Sequence, residues 1–280
     1  MNLYHLSHID LDGYGCQLVS SEFYKTRASK IFFYNANYGK EVLARLEQIV
    51  RDIKNNKEES HILISDLNLT MSECDELKKE ILELNLSGYQ VSYELLDHHK
   101  SGQECANKYE WYVLDTKRCA TKIVYDTLLG RFGLDESVRK WLEPMVEMIN
   151  SIDLWNEEGF AFEFGKVAMR LIVECNDEDR AYKLSLLRES SRFLGEERGH
   201  ILLDNAILEM KKCYLNGSLL SDTLDNLISH FQNKLLGQKA SECTLYCGEY
   251  RGFLSYGVGN ISVLANLFLK THIEFDFFLD

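Results

Sequence analysis

Proline is almost missing from this chain: Pro144 is the single one in 280 residues. No proline- or serine-rich stretch separates one part from another, so any domain boundary has to fall inside a helical region, between residues 200 and 240. Paired cysteines are missing too. The eight cysteines (Cys16, Cys74, Cys105, Cys119, Cys175, Cys213, Cys243 and Cys247) include no Cys-x-x-Cys. That spacing excludes a zinc ribbon and reads as reduced thiols of a cytoplasmic protein rather than a disulfide frame. Long apolar runs are absent. The longest uncharged stretch, Phe253 to Leu269, is broken by Gly257, Gly259, Asn260 and Asn266 and is short for a membrane span. The amino terminus lacks a basic start and reaches His8 and Asp10 at once, which is not the pattern of a signal peptide. Positive charge is scarce as well. The 31 Lys and Arg against 44 Asp and Glu leave a net charge of −13. A protein that coats long nucleic acid needs many cations to displace counterions, so that class is disfavoured. A small phosphate substrate is not, because bound metal ions can supply local positive charge.

What is present is an alternation. Residues 2–9, 30–34, 61–66 and 89–96 read as strands. Between them lie helical stretches. One carries Val42, Leu43, Leu46, Ile49, Val50 and Ile53 on one face. Another runs from about Leu69 to Leu84, with Thr70 and Glu73 at capping-box spacing. Strand–helix alternation predicts an α/β fold with a doubly wound parallel sheet. A strand near Trp111–Leu114 and helices from Ala120 to about Leu129 and from about Asp135 to Ile152 follow, the last bent or stepped near Pro144. Further helical faces (Leu202 to Met210, Leu224 to Leu235) lead to a small strand–strand–helix–strand unit at the carboxyl end. The expected division is a catalytic domain over 1–200, a helical linker over 201–240 and a smaller α/β domain over 241–280.

The chemistry gathers where strands end. His8, Asp10 and Asp12 follow the first strand, Asp66 the third, and Asp97, His98 and His99 the fourth. In an open parallel sheet, ligands bind outside the carboxyl ends of the strands. Histidines and carboxylates without a thiol favour octahedral Mn or Mg over tetrahedral zinc. So many acids in one place are easier to justify around two metals than one, since adjacent carboxylates otherwise repel. Such a pair can hold a hydroxide between its ions and clamp both oxygens of an in-line phosphoryl displacement. Taken singly, Asp66 suits a helix N-cap and each histidine a hydrogen-bonded core residue; the set is what argues for metal.

These residues resemble the DHH phosphoesterase superfamily. Its motifs are His-x-Asp-x-Asp-Gly (His8, Asp10, Asp12, Gly13), a strand-end Asp (Asp66), Asp-His-His (Asp97, His98, His99) and a later Asp, here Asp153 within Asn150-Ser151-Ile152-Asp153-Leu154-Trp155. The resemblance covers roughly residues 1–160. It implies one metal on His8, Asp10 and Asp66 and a second on Asp12, Asp66, His98 and Asp153, with Asp66 bridging. It implies Mn as the usual ion, Asp97 behind the ligands, and His99 on the phosphate or the leaving oxygen. Within the superfamily the chain is most similar to nano-RNases, which cut short oligoribonucleotides or linear dinucleotides; relatives act on 3′-phosphoadenosine 5′-phosphate or pyrophosphate. A catalytically weak nucleotide-binding module, and a homodimer, are compatible with the same residues. The DHH-associated second domain of those proteins carries Gly-Gly-Gly-His, which Gly257-Val258-Gly259-Asn260 does not match. The expectation is therefore a truncated second domain, or a variant without that clamp, with Arg251 as its phosphate contact.

Overall fold

The computed structural model describes residues 1–174, 233, 236, 237, 243–255 and 261–279. The chain divides into two units, Met1–Ile207 and Leu208–Asp280. The first unit is built on five parallel strands: β1 (Asn2–Ser7), β2 (Ile31–Asn35), β3 (Ser60–Ser65), β4 (Val91–Asp97) and β5 (Tyr112–Leu114). Their spatial order is β2-β1-β3-β4-β5. Leu3 pairs with both Ile31 and His61, so β1 is flanked on both edges, and every residue of β1 and β3 is buried. This is the expected α/β architecture. A sheet with helices on both faces buries its central strands on both sides, which is why they read as runs rather than alternations.

Helices α2 (Lys40–Asn56), α3 (Met71–Leu86) and α4 (Gln103–Lys108) cover one face. Their apolar stripes, Val42, Leu46, Ile49, Val50 and Ile53 on α2 and Cys74, Leu77, Ile81 and Leu84 on α3, join Leu6, Ile62, Ile64 and Leu95 of the sheet in one core. Each such fully buried aliphatic chain stabilises the fold by about 1.5–3 kcal/mol. Thr70 caps α3 with a complete capping box: its hydroxyl accepts from the Glu73 amide, and Glu73 accepts from the Thr70 amide. The other face is covered by α1 (Leu11–Tyr24) and α5 (Ala120–Phe132), with α6 (Glu136–Asp153) and α7 (Phe162–Glu174) packed outside them. α6 runs through Pro144 as one continuous helix.

α1 has no counterpart among the helices read from the sequence. It is buried on nearly every side, between β1 and helices α5 and α6, so it shows no polar face and no 3.6-residue rhythm. Two glycines permit that depth: a Cβ on Gly13 would run into the His8 carbonyl, and one on Gly15 into Thr121 and Ile149. β1 consequently stops at Ser7 rather than reaching residue 9, because Asp10 is already the N-cap of α1.

The second unit pairs β6 (Thr244–Cys247) antiparallel with β7 (Tyr250–Leu254) across a two-residue turn in which Gly248 takes φ +62°. β8 (Phe277–Leu279) joins β7 in parallel after helix α8 (Ile261–Thr271). Phe253, Phe268 and Phe275 form its core. The last strand of the expected strand–strand–helix–strand unit is three residues long. The helical faces expected at 202–210 and 224–235, and nearly all of the expected linker, lie outside the described residues. No helix among the described residues is long and apolar enough to cross a membrane.

Candidate metal centre

The order β2-β1-β3 makes the carboxyl ends of β1 and β3 the switch point of the sheet, where connections leave in opposite directions and a crevice opens. His8 follows β1 into that crevice, and Asp66 follows β3. Asp10 does two jobs: Oδ1 accepts from the Gly13 amide at 2.9 Å as N-cap of α1, and Oδ2 lies 2.9 Å from His8 Nδ1. Asp66 sits in the left-handed region at φ +56°, a conformation that Asp tolerates at some cost. Its two oxygens face different groups. Oδ2 is 3.8 Å from His8 Nδ1, and Oδ1 is 3.4 Å from His98 Nε2. The same His98 nitrogen lies 3.7 Å from Asp12 Oδ2 and 3.6 Å from Asp153 Oδ2. Asp153 is the last residue of α6. Ligand-type atoms of His8, Asp10 and Asp66 fall within 4.8 Å of one another, as do those of Asp12, His98 and Asp153.

Asp12 lies in the first turn of α1 and is almost wholly buried. Its Oδ2 and Oδ1 accept from the amides of Ala120 and Thr121, both at 2.8 Å, at the amino end of α5. Asn150 Oδ1 takes the Cys119 amide at 2.9 Å, and Thr121 Oγ1 donates to the Asp12 carbonyl at 2.7 Å. The first amides of α5 therefore fix a carboxylate of α1 and a side chain of α6, and the helix dipole offsets part of the Asp12 charge.

The electrostatics call for a cation. Burial, then the carboxylates of Asp10 and Asp12, push Asp66 well above the usual range. Burial, Asp12 and Asp10 push Asp153 up to about 9. Asp10 goes the other way: burial opposes its ionisation, but His8 outweighs it. Burial holds His98 low, toward the neutral imidazole a metal ligand needs. Two buried atoms also lack hydrogen-bond partners, Asp66 Oδ2 and His8 Nδ1, the latter close to Asp10 but not in hydrogen-bonding geometry. Orphaned nitrogen and carboxylate donors at the convergence of mutually repelling acids fit divalent metal. Cys16 and Cys119 are close enough to feel Asp12, but burial drives both thiols well upward, so they remain protonated and outside the donor set.

His99 is anchored by a different set of partners. Its Nδ1 meets Asp97 Oδ1 at 2.7 Å, Tyr112 donates to Asp97 Oδ2 at 2.7 Å, and Tyr38 Oη lies 3.0 Å from His99 Nε2. Burial lowers the His99 pKa, but the Asp97 carboxylate more than compensates and raises it. His99 also falls within ligand distance of Asp66 and His98. Both of its ring nitrogens have protein partners, Asp97 and Tyr38. Tyr38, Tyr112 and Asn35, whose Nδ2 donates to the His8 carbonyl at 2.8 Å, were not anticipated from the sequence. The signal was there for Asn35 and Tyr38: they close and follow β2, whose carboxyl end lies beside that of β1.

Arg251 belongs to the second unit, on β7. Its guanidinium lies over the Phe275 ring at 4.5 Å, and its Nε is buried without a hydrogen-bond partner. Arg118 pairs with Asp115 and Asp126, and Lys122 with Asp126 and Glu147. His5 bridges Ser20 and Ser65 as a structural residue.

No family model matches the chain. A Helicobacter pylori (strain ATCC 700392 / 26695) protein named 3′,5′-cyclic-nucleotide phosphodiesterase is 47% identical over 290 residues, which span 100% of this chain and 82% of that protein. The crystal structure of an uncharacterized protein from Helicobacter pylori G27 superposes with a TM-score of 0.68 at 47% identity, over 99% of this chain and 82% of the other. RecJ of Thermus thermophilus in complex with Mn2+ reaches a TM-score of 0.49 at 14% identity, over 97% of this chain and 42% of its own, too loose a likeness to carry an argument.

Proposed function

The chain belongs to the family of the Helicobacter pylori 3′,5′-cyclic-nucleotide phosphodiesterase, and on that premise we propose that it is a metal-dependent phosphodiesterase acting on small nucleotides. The observation that carries the proposal is Asp66, which turns one oxygen toward His8 and Asp10 and the other toward His98, beside Asp12 and Asp153. This is the arrangement expected for one carboxylate shared by two ions, and it agrees with the motif resemblance to DHH phosphoesterases. His8, Asp10 and Asp66 would hold one Mn or Mg ion, and Asp12, Asp66, His98 and Asp153 the other. Bound there, the ions would neutralise the acids, polarise a phosphoryl oxygen and lower the pKa of water.

The protein's own groups do the rest. The buried Asp97, braced by Tyr112, orients His99 through Nδ1 and leaves Nε2 as the nitrogen that can meet a phosphate or leaving oxygen. The amino end of α5 keeps Asp12 in place so that the site needs little reorganisation when charge develops. The name of the relative favours a 3′,5′-cyclic nucleotide as substrate. The motif set favours a second reading, cleavage of short oligoribonucleotides or linear dinucleotides. The −13 net charge supports a small substrate in either case.

The test is turnover by Mn-loaded protein on 3′,5′-cyclic nucleotides, dinucleotides, 3′-phosphoadenosine 5′-phosphate and long RNA. Cleavage of the first or second class, with long RNA slow, is expected. If no phosphodiester is cut while Mn binds, the chain is a nucleotide-binding module instead. If 3′-phosphoadenosine 5′-phosphate alone turns over, it is a phosphomonoesterase.

A further inference from the structure

One aromatic residue at the rim of this site has no role in the assignment above. Tyr38 follows β2, one residue before Gly39, whose φ of +78° turns the chain into α2. The side chain is large and apolar, yet the residue is 43% exposed, and it leans on the site rather than on the core. Its ring lies 4.7 Å from that of His8 and meets His99 edge-on at 5.7 Å. Its hydroxyl sits 3.0 Å from Nε2 of His99. That nitrogen is the one Asp97 does not use, and the Asp97 contact at 2.7 Å already orients the ring. Tyr38 is therefore not needed to hold His99 in place.

The surroundings point to what it is for. A phosphodiester entering a cluster of carboxylates needs hydrogen-bond donors on the side away from the acids. Two cations near the amino end of α5 are committed: Arg118 to Asp115 and Asp126, and Lys122 to Asp126 and Glu147. The Tyr38 hydroxyl and His99 Nε2 make a pair of polar atoms at hydrogen-bond separation, open to solvent on the tyrosine side. We propose that Tyr38 is a substrate-binding residue whose hydroxyl, together with His99 Nε2, takes one non-bridging oxygen of the phosphodiester, the two groups holding each other until that oxygen arrives. The inference rests on the phosphodiesterase reading and adds to it a contact from the turn between β2 and α2, a segment that supplies none of the metal-binding side chains.

Tyr38→Phe keeps the ring on His8 and removes only the hydroxyl. With Mn-loaded protein and bis(p-nitrophenyl) phosphate as probe, KM and the inhibition constant of inorganic phosphate should both rise about tenfold, the loss of one hydrogen bond to a charged group. Bound Mn and melting temperature should match wild type. In metal-free protein, His99 should react several-fold faster with diethyl pyrocarbonate, read by peptide mass spectrometry, because Nε2 has lost its partner. Wild-type KM and phosphate inhibition in the variant overturn the proposal while leaving the phosphodiesterase reading intact, and so does loss of Mn, which would make Tyr38 a support for His8. If wild type cuts no phosphodiester, that reading falls by itself. Phosphate binding to the Mn form, measured calorimetrically in both proteins, then decides on Tyr38: a tenfold weaker variant supports the contact, and equal affinities overturn it.

Discussion

Replacing Asp153 by Asn should make the metal-free protein more stable and the metal-loaded protein less so. The carboxylate closes α6 against His98, and its side chain is 21% accessible although the residue as a whole is exposed at the helix end. Burial, with Asp12 and Asp10 beside it, raises its pKa from 3.8 to about 9. The sign follows from linkage. An acid whose folded pKa is raised binds its proton more tightly folded than unfolded. It costs nothing below pH 3.8, and the cost grows as pH climbs from there to about 9. At pH 7 the ceiling is about 3 pKa units, or about 4 kcal/mol. Solvent on the open side of the helix end screens part of this, so about 1–2 kcal/mol is the expected gain for Asn. In a unit of this size that is a melting temperature roughly 2–8 °C higher. Saturating Mn should stabilise wild type by about 3 kcal/mol at a hundredfold excess over its dissociation constant, and the variant by much less. The assay is thermal unfolding in chelator and in Mn at pH 5, 7 and 8.5. A metal-free Asn variant no more stable than wild type at any of these pH values would refute the reasoning, as would undiminished stabilisation by Mn.

Asp66→Ala should abolish both metal sites, read by elemental analysis after Mn loading, because one carboxylate faces both groups of ligands. Asp12→Ala should remove mainly one ion. It should also lower the melting temperature, since two buried amides of α5 lose their acceptor at about 1–3 kcal/mol each. His99→Ala should keep its Mn content and lose turnover by roughly 10²–10⁴-fold in steady-state assays, the range of a positioned acid–base group. Glu94 is a control remote from metal. Burial opposes its ionisation, but Arg131 and His61 hold its pKa down to about 2 from 4.5. A lowered acid contributes stability above 4.5 that drains away as pH falls toward 2, here at most about 3 kcal/mol. Urea midpoints of wild type and Glu94→Gln should therefore differ at pH 7 and converge near pH 2.

By itself, the sequence determined the parallel α/β frame, because α2 and α3 each turn one apolar stripe inward and α3 carries its own capping box. It also determined which side chains gather, because residues that follow parallel strands of one sheet must emerge at the same end. Only the tertiary structure decided the rest. α1 could not be read as a helix because packing on all sides erased the polar face that periodicity depends on. The hold on Asp12 comes from amides 108 and 109 residues along the chain, and no local pattern records so distant a hydrogen bond. Within the His98–His99 pair, the motif resemblance told the two residues apart, but spacing along the chain did not show which partners each meets. Adjacent residues after a strand point to different sides, and their contacts with Asp66, Asp97 and Tyr38 depended on the spatial order β2-β1-β3-β4-β5 of the strands.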